Sequence, residues 1–119
     1  EWHKKHMRTD TIRKEDTVTN SYVAIDIETT GLEPRLDKIT EIAALRVVDG
    51  RVEERFVTLV NPGRQLGERI TVLTGITDDM VKDAPAIEDM IGDVVRFCGN
   101  LPLLGHNILF DYAFLKRAL

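Results

Sequence analysis

The stretch YVAIDIETTGL, residues 22–32, decides the fold. Its first seven residues form an apolar, β-branched run of strand length, and Gly31 with Pro34 punctuates a turn after it. On a strand, alternate side chains share a face, so Asp26 and Glu28 project together while Ile25 and Ile27 point the other way. Two carboxylates held side by side repel each other unless a cation lies between them. Hard divalent ions such as Mg²⁺ and Mn²⁺ take oxygen ligands, often one or two carboxylates completed by water and phosphate. The spacing alone is equally consistent with two solvated acids at a strand end.

Working outward, KITEIAALRVVDG (38–50) and RVEERFVTLV (51–60) are two strand-like runs joined at Asp49-Gly50. An Asp-Gly pair between apolar runs predicts a hairpin, because both residues tolerate positive φ. NPGR (61–64) closes this strand region. A short helical turn is expected near 68–74, and Thr77 caps another over Asp78–Val81. Pro85 opens an amphipathic helix with Ile87, Met90, Ile91, Val94, Val95 and Cys98 on one face, stopped by Gly99-Asn100. A short apolar strand, LPLLG (101–105), leads into a last helix, HNILFDYAFLKRAL (106–119). Three antiparallel strands, then helices, then a β-α unit returning to the first strand predict an α/β fold with a mixed sheet flanked by helices. Asp111, early in the last helix, can then present a third carboxylate to the place where Asp26 and Glu28 project. Asn107 at that helix start is a good cap, and Phe110 reads either as core or as a ring that stacks on a base.

The 119 residues make room for one domain, 21–119, with residues 1–20 read as an extension or linker because they lack periodicity and alternate in charge. The composition, 43% apolar and 30% charged, is that of a soluble globular protein, and no apolar run approaches the ~20 residues of a membrane helix. The first twenty residues do not read as a signal peptide. A single cysteine, Cys98, excludes an intramolecular disulfide and a cysteine-rich zinc site, and a cytoplasmic location fits best. A net charge of −4 argues against a protein that simply coats DNA phosphates. It suits a nucleic-acid enzyme whose carboxylates hold cations, since the ions supply the local positive charge.

DIETTGL (26–32) resembles the first motif of the DEDD, or DnaQ-like, 3′→5′ exonucleases, and GHNILFD (105–111) resembles the second. ITVLTGITDDMVKDAP (70–85) is similar to the connecting segment of bacterial DNA polymerase III proofreading domains. The resemblance runs from Tyr22 to Leu119 and implies a ribonuclease-H-like fold. By it, Asp26, Glu28 and Asp111 are catalytic metal ligands for two Mg²⁺ or Mn²⁺ ions. Asp26 bridges the pair, Glu28 holds the ion that activates water, and Asp111 supports the other. Thr29, Thr30, Leu73, Thr74, Asn107 and Phe110 match positions that line the terminal-nucleotide pocket. The implied substrate is a single-stranded or frayed 3′ end of DNA, with a DNA polymerase as partner and no membrane. The family's third motif, a histidine followed five residues later by an aspartate some fifty residues past the second, has no counterpart here, so these residues alone are expected to show little turnover. An RNA-trimming relative and a non-catalytic nucleic-acid-binding or interaction domain are the rival readings.

Overall fold

The computed structural model describes residues 20–119, so the extension or linker expected over 1–20 lies outside the described residues except for Asn20. Three strands open the chain: β1 (Tyr22–Thr29), β2 (Ile39–Val48) and β3 (Arg51–Leu59). Then come helices α1 (Gly67–Thr74), α2 (Asp78–Val81) and α3 (Ile87–Cys98), the short strand β4 (Leu103–Leu104) and helix α4 (Ile108–Ala118). The sheet order is β3-β2-β1-β4. β1 and β2 pair antiparallel, as do β2 and β3, whereas β4 lies parallel to β1 through Val23↔Leu103 and Ala24↔Leu104. The expected mixed sheet is therefore present.

Local chemistry explains the elements. The β2–β3 hairpin turns on Asp49 and Gly50, at φ 53° and 78°, the left-handed geometry that an Asp-Gly pair accepts at least cost. Thr77 caps α2 by accepting from the Met80 N–H at 3.2 Å. α3 begins at Ile87, after Ala86 rather than directly at Pro85, and ends where Gly99 takes φ 55°.

The period-2 and period-3.6 apolar patterns converge on one core. Val23, Ile25 and Ile27 of β1 and Ile42 and Ala44 of β2 meet Met90, Val94, Phe97 and Cys98 of α3 and Phe114 and Leu115 of α4. Cys98 is fully buried, and burial pushes its thiol up to about 12, so it is a packing residue. A smaller cluster of Leu66, Ile76 and Val81 seats α1 and α2. Asp78 ties those two helices together, its Oδ1 accepting from the Leu66 N–H at 2.8 Å.

β3 is the outer strand. Residues 51–55 are all exposed and run Arg51, Val52, Glu53, Glu54, Arg55. Arg46 of β2 reaches across to donate to Glu53 and Glu54 and to the carbonyl of Phe97 at 2.8 Å, fixing the end of α3 to the sheet.

Candidate active site

Two elements bring the acids together. β1 carries Asp26 and Glu28 on the face opposite buried Ile25 and Ile27, as the alternation requires. α4 carries Asp111 one turn from its start, with its N–H donating to the Asn107 carbonyl at 3.2 Å. Asp111 is 4% exposed. Burial and the charge of Asp26 push its carboxyl up to about 6; the N–H groups of Ile27 and of Asp111 itself pull it partly back, and Glu28 adds to the rise. Glu28 is also raised, by burial, then by Asp26 and by Glu41. Glu41 stands directly opposite Glu28 on β2, a like-charge cross-strand pair that only the register reveals.

Among the described residues, no lysine or arginine forms an ion pair with these three acids. Their oxygen donors suit a hard divalent cation. Among the described residues, no three His, Cys, Asp or Glu side chains are gathered tightly enough to cage an ion unaided. An ion held here would complete its shell from water or substrate oxygens.

The close approach of α4 to β1 depends on Gly105. A Cβ at that position would stand 3.0 Å from the Ile25 carbonyl oxygen and 3.2 Å from Ile108 Cδ1. Gly105→Ala is expected to push β4 from β1 next to Asp26, costing about 1–3 kcal/mol as over-packing does; urea denaturation would measure it, and an unchanged midpoint would contradict it.

Beside the acids lies a cavity of about 590 Å³ lined by Glu28, Thr29, Thr30, Gly31, Leu32, Glu33, Asp37, Arg69, Ile70, Leu73, Thr74 and Phe110, with Ile27 behind. Six residues expected at a nucleotide site or metal therefore share it: Glu28, Thr29, Thr30, Leu73, Thr74 and Phe110. Asp26, Asp111 and Asn107 are not part of its lining. Asn107 is exposed at the N-cap position of α4 but makes no side-chain cap hydrogen bond, so the expected capping is not realised. Phe110 packs against the core and Phe114, centroids 5.0 Å apart, as its core reading expects, and it also lines the cavity.

The two threonines offer the cavity less than their hydroxyls suggest. Thr29 Oγ1 donates to the Gly31 carbonyl at 2.5 Å, and Thr30 Oγ1 donates to Asp37 at 3.1 Å. Leu32, Glu33, Asp37 and Arg69 were not expected at the site. Arg69 is the only cation among the described lining residues. Nothing in a linear pattern marks them, except that Leu32 ends the DIETTGL stretch.

A family model for exonucleases, the RNase T type, matches residues 23–119. The DNA polymerase III PolC-type protein of Bacillus subtilis (strain 168) is 45% identical over 98 residues, covering 82% of this chain and 7% of that protein. The same type of protein from Clostridium perfringens is 40% identical over 105 residues, covering 88% of the chain and again 7% of the relative. This chain therefore spans only a small part of the curated relatives it matches. Among solved structures, Exonuclease X in complex with 5′ overhanging duplex DNA matches with a TM-score of 0.66 at 35% identity, over 77% of this chain and 52% of that one. Exonuclease I superposes with a TM-score of 0.73 at 21% identity, over 84% of this chain and 24% of that one, which establishes the ribonuclease-H-like fold. With acids on β1 and α4 next to this cavity, and a family match that runs over residues 23–119, the chain belongs to the exonuclease family.

Proposed function

We propose that this chain carries the metal-ligand and nucleotide-binding part of a DNA 3′→5′ exonuclease of proofreading type, releasing nucleoside 5′-monophosphates. The observation that carries the reading is the convergence of Asp26, Glu28 and Asp111, unpaired with any described cation, with Asp26 raising both Glu28 and Asp111 and Glu28 raising Asp111, beside a cavity that continues from Glu28. Asp26, Glu28 and Asp111 would hold two Mg²⁺ or Mn²⁺ ions. When bound, such ions lower the pKa of a water and stabilise charge on the attacking and leaving oxygens.

The chain's own residues position the substrate. Leu73 and Leu32 are 75% and 85% exposed and line the cavity with Ile70 and Phe110, giving a flat base apolar surface to cover. Arg69 places a positive charge where a backbone phosphate would meet the otherwise acidic rim. The preference for DNA draws support from the likeness to Exonuclease X, solved with duplex DNA. Residues 21–119 are proposed as one part of the exonuclease domain, with the general base and a fourth carboxylate supplied from outside them. A DNA polymerase, as in the PolC-type relatives, is the proposed molecular context.

The test is degradation of 5′-labelled single-stranded DNA and RNA oligonucleotides with Mn²⁺, using this chain beside a longer natural protein that includes the third motif. The expected result is a 3′-shortening ladder on DNA from the longer protein and little from the chain. A general base typically contributes ~10²–10⁴ in rate, so comparable turnover by both would refute the division of labour. A ladder on RNA alone would favour the exoribonuclease reading, and none from either protein would favour a binding domain.

A further inference from the structure

The segment joining β1 to β2 forms one wall of the cavity without belonging to any strand or helix. Its shape is held by a hydrogen-bonded closure centred on one side chain. The Thr30 N–H donates to the Lys38 carbonyl at 2.8 Å, and the Lys38 N–H donates back to Thr30 Oγ1 at 3.0 Å. Thr30 Oγ1 donates to Asp37 Oδ1 at 3.1 Å, while the Glu33 N–H donates to Asp37 Oδ2 at 3.0 Å. The Asp37 N–H donates to the Glu33 carbonyl at 2.7 Å. The two oxygens of one carboxylate thus grip the chain on both sides of Gly31-Leu32.

Two further facts give this closure a purpose. Gly31 packs against Asp37 so closely that a Cβ would fall on its carboxylate. Leu32, next along, lines the cavity yet is 85% exposed, so packing does not fix where it lies. Asp37 also stands apart from the metal-facing acids: the charges that act on Asp111 and Glu28 are those of Asp26, Glu28 and Glu41.

We infer that Asp37 is a positioning residue for nucleotide binding, its carboxylate holding Gly31-Leu32 so that Leu32 forms the cavity wall. The inference rests on the exonuclease reading of the cavity. Asp37 lines the cavity itself, but its two carboxylate oxygens accept from Thr30 Oγ1 and the Glu33 N–H, so it acts by holding the loop rather than on the reacting atoms. Gly31 is required because the carboxylate occupies the space a side chain would need.

The test is a double-mutant cycle read by binding of dTMP in the presence of Mn²⁺ to the full chain, with amide hydrogen exchange as the second readout. Asp37→Ala should weaken dTMP about tenfold, the scale of lost hydrogen bonds to a charged acceptor. It should speed exchange at Glu33 while leaving the amides of β1 protected. Asp37→Asn, which keeps a carbonyl acceptor, should recover part of the affinity. Gly31→Ala should weaken binding in the parent chain but add little in the Asp37→Ala background, where the atoms it strikes are gone. Fully additive effects would overturn the inference, as would unchanged affinity in Asp37→Ala. So would exchange that rises throughout the sheet, which would make Asp37 a general stabilising residue. A parent chain that binds no dTMP would instead defeat the exonuclease reading itself, and this inference with it.

Discussion

Asp111→Asn should cut exonuclease turnover of a longer natural protein that includes the third motif by about a thousandfold, the equivalent of ~4 kcal/mol of charge stabilisation, while making the metal-free fold of this chain more stable. Both effects come from the same carboxylate. Its pKa is about 6 in the fold against an ordinary 3.8, because it is buried and faces Asp26. Between those values the folded chain binds a proton that the unfolded chain has released. Stability from this group is therefore complete below about pH 3.8 and declines as pH rises, until the full cost is reached above about pH 6. Roughly two pKa units correspond to on the order of 3 kcal/mol. Asparagine keeps the shape and removes the charge. The expected result is a variant more stable than the parent at pH 8 and nearly equal to it at pH 4, read as the difference in urea midpoints. Added Mn²⁺ should stabilise the parent at pH 8 and the variant far less. If the difference between the two proteins did not change with pH, the burial of an ionisable Asp111 beside Asp26 would be wrong.

The second large effect is on folding. Phe97→Ala should destabilise the chain by about 3–5 kcal/mol, a large fraction of what a domain of this size holds in reserve. Phe97 is buried, its ring lies 5.5 Å from that of Phe56, and the Arg46 guanidinium sits 4.8 Å above it. Arg46 also donates to the Phe97 carbonyl, so the residue joins α3 to β2 and β3 at once. Arg46→Met should cost less, because its ion pairs with Glu53 and Glu54 are partly solvated and such pairs contribute ~0–1 kcal/mol each. Urea denaturation of both variants would rank them. A larger loss from Arg46→Met would place the weight of this junction on charge rather than on packing.

Features that depend on near neighbours in sequence could be read from the sequence. Asp49-Gly50 sets its hairpin through its own backbone preferences, Thr77 caps its helix three residues away, and the apolar face of α3 repeats within a few turns. The acids were legible for the same reason, since alternation along β1 alone puts Asp26 and Glu28 on one face. What escaped depends on contacts made across the fold. Glu41 meets Glu28 through the β1–β2 register, which runs unbroken from Tyr22↔Val47 to Glu28↔Glu41 and shifts only beyond that pair. Gly105 matters because of a carbonyl eighty residues earlier, at Ile25. Asp37 is an ordinary loop acid until the loop closes on it, and the closure takes up the hydroxyl of Thr30 that a linear reading would offer to substrate. Asn107 misled in the opposite sense: it has the right residue type for a cap and makes no cap bond.

The charged outer strand bears on behaviour at high concentration. β3 leaves one row of backbone donors and acceptors open to another chain, but Arg51, Glu53, Glu54 and Arg55 line it with both signs of charge. At the opposite edge, β4 offers only Leu103 and Leu104, too short a template for a stable added strand. Neither border favours strand-by-strand growth, so concentrated solutions of this chain should resist fibrillar association even though, among the described residues, no further strand pairs with β3 or β4.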